Sequence, residues 1–507
     1  MKKIKKFLRI VFNRRALIIL ILLFQLGVFF LSIIGLSKNY AWVYVVFTLL
    51  SVVVVCVILN KRTNPAYKLA WIVPTLLMPV FGGIVYLIYS TQTSLKLFKK
   101  LTVKRLKDTE RYLEQDNDIL SEIDDVYTRN LVKYMNHKGV YPIYKNTSVK
   151  YFGLGEEMID ALKEELKKAE HFIFMEYFII SRGRVWDEIL EILKQKASEG
   201  VDVRVLYDGM VTQLNDKVLH ANNIKCKAFN RFTPFVSSVQ NNRDHRKIAV
   251  IDGHTAFNGG INLADEYANI TSRFGHWKDT AVMLRGDAVW SFTVMFLQMW
   301  EIIAADEDYR ELYGPEKYGV SEIESDGFVM PYGDAPTDGE NIGELVYLDI
   351  INKARDYVYI TTPYLILDNE MITALGFAAK SGVDVRIIVP GIPDKWYCYC
   401  IAQSYYKDLL DVGVKVYEYA PGFVHAKNFV SDDSKAVVGT INLDYRSLFL
   451  HFECATFMYG SSAVGEIKED FFKTLESCRE IDYEYIKNIP FLKKVVNGIL
   501  RTLGPLL

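Results

Sequence analysis

Two short segments carry residues able to do phosphoryl chemistry. His245-Arg246-Lys247 is followed at fixed spacing by Asp252, and His425-Ala426-Lys427 by Asp432. The offset is 180 residues. Seven residues after each Asp stands a small pair, Gly259-Gly260 and Gly439-Thr440, and then Asn262 and Asn442 at the same spacing. After a small length change, WKDTAVM from Trp277 aligns with FECATFM from Phe452, which pairs Asp279 with Glu453. A lone His-x-Lys on a strand carries little weight, but two copies with Asp, small pair and Asn in register do.

HRKIAVID has strand composition. Side chains at i and i+2 share a face, so His245 and Lys247 point the same way, as do His425 and Lys427. If the copies pack about a pseudo-two-fold axis, two imidazoles and two ammoniums converge. Two Lys with Asn262 and Asn442 then make a donor-rich cradle for a phosphate. One His attacks phosphorus and the other protonates the leaving alcohol, with roles reversed for the acceptor. The lysines meet the charge on the transferring group, so the chemistry calls for no metal or cofactor. Each imidazole needs a carboxylate on its second nitrogen to fix its tautomer, and Asp279 and Glu453 are the candidates. Asp252 and Asp432 have the opposite parity, which suits bracing the turn or a nearby Lys.

The elements around these residues also come in two copies. ASEGVDVRVLYDG from Ala197 matches AKSGVDVRIIVPG from Ala379, each reading as a helix end, a Gly turn and a buried strand. An apolar strand precedes each, from Ile173 and Val358, and a helical pattern precedes each strand, over 156–169 and 341–354. Helix, strand, helix, strand predicts a duplicated α/β domain: two sheets packed with pseudo-two-fold symmetry, with flanking helices. The halves are expected over 141–320 and 321–485.

The chain has 507 residues, half of them hydrophobic, and a formal net charge of −1. The balance is not that of a nucleic-acid binder. Six scattered cysteines, with no paired CxxC, read as reduced and mostly buried thiols. Residues 1–95 read as a membrane anchor. After a basic start, 16–36 and 40–59 are each about 20 apolar residues, enough to span a bilayer as a helical hairpin. Lys61, Arg62 and the basic run from Lys96 to Lys107 place both ends, and the catalytic domain, on the cytoplasmic side. The apolar stretch 69–90 holds Pro74, Pro79, Gly82 and Gly83 and reads as re-entrant or interfacial. Residues 96–140 read as a charged linker helix. Residues 486–507 form an amphipathic tail suited either to anionic lipid or to the protein's own core.

These segments resemble bacterial cardiolipin synthases of the phospholipase D superfamily. The likeness rests on the two HxK(x4)D motifs, on 242–267, on FGHWKDT at 274–280, on GTINLDYRSLFLHFE at 439–453 and on 64–89. It covers nearly the whole chain. It implies that phosphatidylglycerol gives up a phosphatidyl group to a histidine, and that a second phosphatidylglycerol accepts it, yielding cardiolipin and glycerol. It places His245, Lys247, Asp252, His425, Lys427 and Asp432 at the family's catalytic motif positions. By analogy His245 is the nucleophile and His425 the acid–base, though the duplication leaves the order of attack open. His451 stands where the family usually has Asn. The resemblance implies an anionic membrane lipid as partner, a multi-pass cell-membrane location and no nucleic acid. Alternatives are another phospholipase-D-type transphosphatidylase or hydrolase, a membrane-tethered nuclease, or a lipid-binding scaffold.

Overall fold

A computed structural model describes residue 23 and residues 37–506, apart from 62, 91–92, 213, 232–237, 303–307, 319–322, 324 and 326. The described residues divide into two compact units. One is drawn from 1–100, 232–241 and 502–507, the other from 101–231 and 242–501.

The first unit contains α1 (Ser37–Leu59), α2 (Pro65–Leu77) and α3 (Pro79–Ser90). Asn64 caps α2 by accepting from the Ala66 N–H, and Pro65 sits where its missing N–H costs nothing. The helical run breaks at Met78, ahead of Pro79. At Gly82 a Cβ would lie 2.4 Å from the Thr75 Cα, so only glycine allows α2 and α3 to fold back this closely. Val54 and Ile58 of α1 pack on Tyr86 of α3, with Trp71 and Ile72 of α2 around them. The stretch over 69–90 is thus two short helices, each about 20 Å long. Trp42, Val45, Val46, Leu49, Val53 and Leu59 of α1, and Leu69, Val73 and Leu77 of α2, are exposed.

The expected transmembrane hairpin is not confirmed. Its first arm, 16–36, lies outside the described residues apart from Leu23, and among the described residues no helix is long and apolar enough to cross a membrane.

The second unit carries the duplication. Its strands are β1 (Thr147–Phe152), β2 (Phe172–Tyr177), β3 (Asp202–Asp208), β4 (Lys225–Phe229), β5 (Lys247–Ile251), β6 (Thr255–Gly259), β7 (His276–Lys278) and β8 (Ala281–Gly286). There follow β9 (Phe328–Asp334), β10 (Tyr357–Thr361), β11 (Asp384–Pro390), β12 (Lys415–Tyr419), β13 (Gly422–Val424), β14 (Asn428–Ser431), β15 (Lys435–Gly439), β16 (Glu453–Tyr459) and β17 (Cys478–Glu480). One sheet runs β1-β8-β6-β5-β2-β3-β4 and the other β9-β16-β15-β14-β10-β11-β12-β17. Strand by strand these are the same order, with β17 added at one edge. In both, a parallel triple (β2, β3, β4; β10, β11, β12) joins an antiparallel set through β5 or β14.

The parallel triples are covered by helices, so β2 is buried at all six residues. The helix Gly155–Lys168 places Met158, Ile159, Leu162 and Leu166 on one buried stripe, with Glu156 and Glu157 at its start and Lys167 and Lys168 at its end. That charge order complements the helix dipole.

One expectation is revised. The linker helix expected over 96–140 is instead three helices, Thr93–Thr109, Asn117–Ser121 and Val126–Gly139. Asp116 and Asp125 each start a new helix by accepting backbone N–H groups, and Tyr112, Leu113, Ile123, Leu131, Val132 and Met135 are buried. The charges there are one face of packed helices rather than a solvated stalk. The tail helix Phe491–Leu503 is held by its basic residues. Arg501 pairs with Asp408 at 2.7 Å and stacks over Tyr405, and Lys493 lies over Tyr399, while Phe491, Leu492 and Ile499 are exposed. All six cysteines are free; Cys400 and Cys454 are buried, Cys226, Cys398 and Cys478 are half-buried, and Cys56 is exposed.

Candidate active site

The two halves pair backbone segments with each other at the site. β7 pairs in parallel with β13, placing Trp277 beside Phe423 and Lys278 beside Val424. The His425 N–H then donates to the Lys278 carbonyl at 2.7 Å. On the other side Asp244 bridges Phe452, the His245 N–H donates to the Phe452 carbonyl, and the Phe452 N–H donates to the Arg243 carbonyl. Each histidine is thereby docked on the lead-in to the other half's carboxylate.

The dyads are crossed as a result. His245 Nδ1 lies 2.9 Å from both Glu453 oxygens. His425 Nδ1 lies 2.6 Å from Asp279 Oδ2. An ionised carboxylate only accepts, so each Nδ1 carries the proton and Nε2 keeps its lone pair. Both carboxylates are fully buried. Burial alone would raise Glu453, but the imidazoles of His245 and His451 hold it well below the carboxylate range. Burial also opposes ionisation of Asp279, and the charges and hydrogen bond around it, His425 first, keep its pKa low. Burial pushes the imidazoles down, His245 to about 3 and His425 to about 4, so both are neutral at neutral pH.

The small pairs have distinct tasks. A Cβ at Gly260 would stand 2.1 Å from Asp279 Oδ1, so glycine makes room for that carboxylate. Thr440, its counterpart, donates its hydroxyl to Glu453 and accepts from the Cys454 N–H. Thr440 is a positioning residue that its place in the repeated small pair could have signalled. Phe178 packs edge-on against His245 at 4.8 Å, and Trp277, Tyr267 and Phe423 surround His425 at 5.3–5.8 Å. These rings exclude water and account for the lowered imidazole pKa values; their composition alone reads as core.

Lys247 and Lys427 each donate to the carbonyl of their own histidine. Burial lowers them to about 8 and about 7. Lys247 also acts electrostatically on both His425 and Lys427, which puts the two motifs in one field. A pH dependence follows. The ammoniums are charged below these values and neutral above them, whereas the imidazoles stay neutral down to about pH 4. For an anionic substrate, log(kcat/KM) should therefore fall with a slope of about −1 near pH 6, set by the proton that His425 must take up to act as the acid, bend further downward between 7 and 8, and approach a slope of about −3 above pH 9 as both ammonium charges are lost. Initial rates at subsaturating substrate check this, and an alkaline limb no steeper than about −1 would remove the lysines from phosphate binding.

Asp252 and Asp432 stand away from the imidazoles, seven residues along the strand and about 20 Å distant. Asp252 accepts from the Glu170, His171 and Phe172 N–H groups at 2.7–2.8 Å, and Asp432 from those of Arg355, Asp356 and Tyr357 at 2.8–3.0 Å. Both have positive φ, 50° and 52°, at the hairpin turn. Neither touches the reacting groups, so their place in the catalytic set is corrected to positioning: each ties the far end of its motif strand to the neighbouring strand's start. Asp252→Ala should cost about 2–4 kcal/mol, because it orphans three N–H groups. Thermal unfolding should register that loss while turnover per folded molecule changes less than about tenfold.

Asn262 Oδ1 accepts from the Ile179 N–H, and Nδ2 donates one of its two hydrogens to the Tyr267 hydroxyl, which fixes the orientation of the amide. Asn442 is buried, with Oδ1 lacking a hydrogen-bond partner. A cavity of about 1010 Å³ lined by Lys150, Asp160, Lys163 and Glu188 touches none of these residues. It is walled by surface ion pairs and has no part in the site.

The family described as "Cardiolipin synthase, PLD-like domain" matches residues 162–281 and 347–475, one match in each half. The chain is 33% identical to the cardiolipin synthase of Halalkalibacterium halodurans, over 98% of this chain and all of that one. This chain belongs to the phospholipase-D-type cardiolipin synthase family. The family's members are phosphatidyltransferases, and the doubled matches fall on the doubled sheets. The family described as "Phospholipase_D-nuclease N-terminal" matches residues 49–89, within the helical unit. Cardiolipin synthase 2 of Bacillus cereus is 34% identical over 91% of each chain. An uncharacterized protein of Streptococcus mutans is 49% identical over 89% of this chain and 98% of its own. Among solved structures, the phosphatidylserine synthase of Haemophilus influenzae superimposes with a TM-score of 0.56 at 13% identity, covering 74% of this chain and 98% of that one, a likeness of fold.

Proposed function

We propose that the protein is a cardiolipin synthase that moves a phosphatidyl group from one phosphatidylglycerol to another through a phosphohistidine. The observation carrying this reading is the pair of crossed His–carboxylate dyads, each with a buried lysine, in one water-poor site. His245 Nε2 attacks phosphorus, the bond from phosphorus to the glycerol oxygen breaks, and His425 protonates the departing oxygen. The hydroxyl of a second phosphatidylglycerol then gives its proton to His425 as its oxygen attacks. The P–N bond breaks and cardiolipin leaves. His425 needs a proton that burial disfavours, and the anionic phosphodiester arriving beside it offsets that cost. Lys247 and Lys427 stabilise the charge on the transferring group.

A lipid substrate requires the site to stay at a bilayer. The exposed apolar residues of α1 and α2 support seating the N-terminal unit in lipid, since a soluble surface rarely carries so large an apolar patch. The basic residues after it support a cytoplasmic catalytic unit.

Purified full chain incubated with phosphatidylglycerol alone should give cardiolipin and free glycerol in equal amounts. No product would sink the reading. A second incubation with mixed phosphatidylglycerol and phosphatidylethanolamine distinguishes a different donor, and a DNA substrate tests the nuclease alternative.

A further inference from the structure

We propose that His245, His451 and Glu453 form an inhibitory site for a transition-metal ion of the Zn²⁺ class. Among the described residues these form the one group of three or more His, Cys, Asp or Glu side chains whose ligand atoms all lie within 4.8 Å of one another. His245 Nδ1 is 2.9 Å from Glu453, and His451 Nδ1 is 3.6 Å from Glu453 Oε1. Ligands on a tetrahedral zinc with bonds of about 2.0–2.1 Å stand about 3.4 Å apart, so small side-chain shifts would complete three corners. The fourth corner is left for water.

A second observation is independent of that spacing. The His451 side chain is nine-tenths buried, and neither ring nitrogen has a hydrogen-bond partner. The unpaired ring nitrogens have lone-pair capacity that a metal ion beside Glu453 would use. The symmetry-related dyad lacks the third donor, because Trp277, Tyr267 and Phe423 surround His425. The site is therefore one-sided.

Binding there has a defined chemical consequence. In the free protein His245 carries its single ring proton on Nδ1 and its lone pair on Nε2. A metal on Nδ1 takes the lone pair at that nitrogen, so the proton moves to Nε2 with no net gain or loss of protons. An Nε2–H imidazole has no lone pair with which to attack phosphorus. The ion also occupies Glu453, which would otherwise stabilise the imidazolium. Inhibition thus follows from a tautomer lock, and this consequence rests on the proposed role of His245, whereas binding does not.

The test uses the purified full chain in detergent. Zn²⁺ alone is titrated against a chromogenic chelator without lipid, and X-ray absorption reads the coordination. The expected result is one tight ion per chain with two nitrogen ligands and at least one oxygen, weakened at least about tenfold in both His451→Asn and His451→Gln. The zinc concentration that halves phosphatidylglycerol turnover should rise by a similar factor in those variants, each measured against its own zinc-free rate. Equal zinc affinity in wild type and both variants, or faster turnover with zinc, would overturn the proposal. If phosphatidylglycerol is not turned over at all, the chelator titration still decides the metal site, and the failure falls on the proposed function alone.

Discussion

His245→Ala should lower phosphatidyl transfer by about 10⁴-fold or more, because it removes the attacking nitrogen and no neighbouring group can replace it. Lys247, as an ammonium, has no lone pair with which to attack, and His425 is held on the other carboxylate. The fold should survive, since Thr440 and His451 remain beside Glu453. His425→Ala should be about as damaging with phosphatidylglycerol, whose alkoxide must be protonated to leave. A phosphodiester with a nitrophenol leaving group separates the roles. His425→Ala should release nitrophenol in a burst and accumulate an acid-labile phosphohistidine, whereas His245→Ala should do neither. The opposite pattern would assign the attack to His425, which the near-symmetry of the site permits.

Glu453→Gln and Asp279→Asn should each cost about 10²–10⁴ in kcat, since the isosteric amides keep the shape but lose the charge that fixes the tautomer and stabilises the imidazolium. The crossed pairing makes a sharper statement. On a His245→Ala background Glu453→Gln should add little, because its partner is gone; on a His425→Ala background it should exact most of its cost. Asp279→Asn should behave in the mirror sense. Double-mutant cycles read this as strong coupling for His245 with Glu453 and for His425 with Asp279, and weak coupling for the two pairs within a half. Coupling within each half would contradict the pairing of β7 with β13.

Much of this site is local in sequence and could be read there. The i, i+2 parity that puts His245 with Lys247 and His425 with Lys427 is a property of any extended strand. The duplication repeats the seven strands of the first sheet in the second at similar offsets, so one α/β half predicted most of the other. Burial patterns were harder. Residues 96–140 carry enough charge to pass for a solvated helix, and only packing reveals that Ile123, Val132 and Met135 are core. Asn262 has the right type for a phosphate donor, and its amide is oriented by Ile179 and Tyr267, contacts no spacing announces.

The two histidines at the centre of the chemistry, their lysines and the two carboxylates were all legible as a repeated pattern. What only the tertiary structure decided is which carboxylate serves which histidine. Along the chain Asp279 follows His245 and Glu453 follows His425, and each might have served its own half. Instead His425 reaches across 146 residues to Asp279, and His245 across 208 to Glu453. The reason is physical: β7 and β13 pair, and 243–245 pairs with 452, so backbone hydrogen bonds between halves carry each carboxylate to the opposite imidazole. Strand parity is set by the nearest peptide bonds, but such a pairing is set by how two folded sheets meet, which no local interval in the sequence encodes.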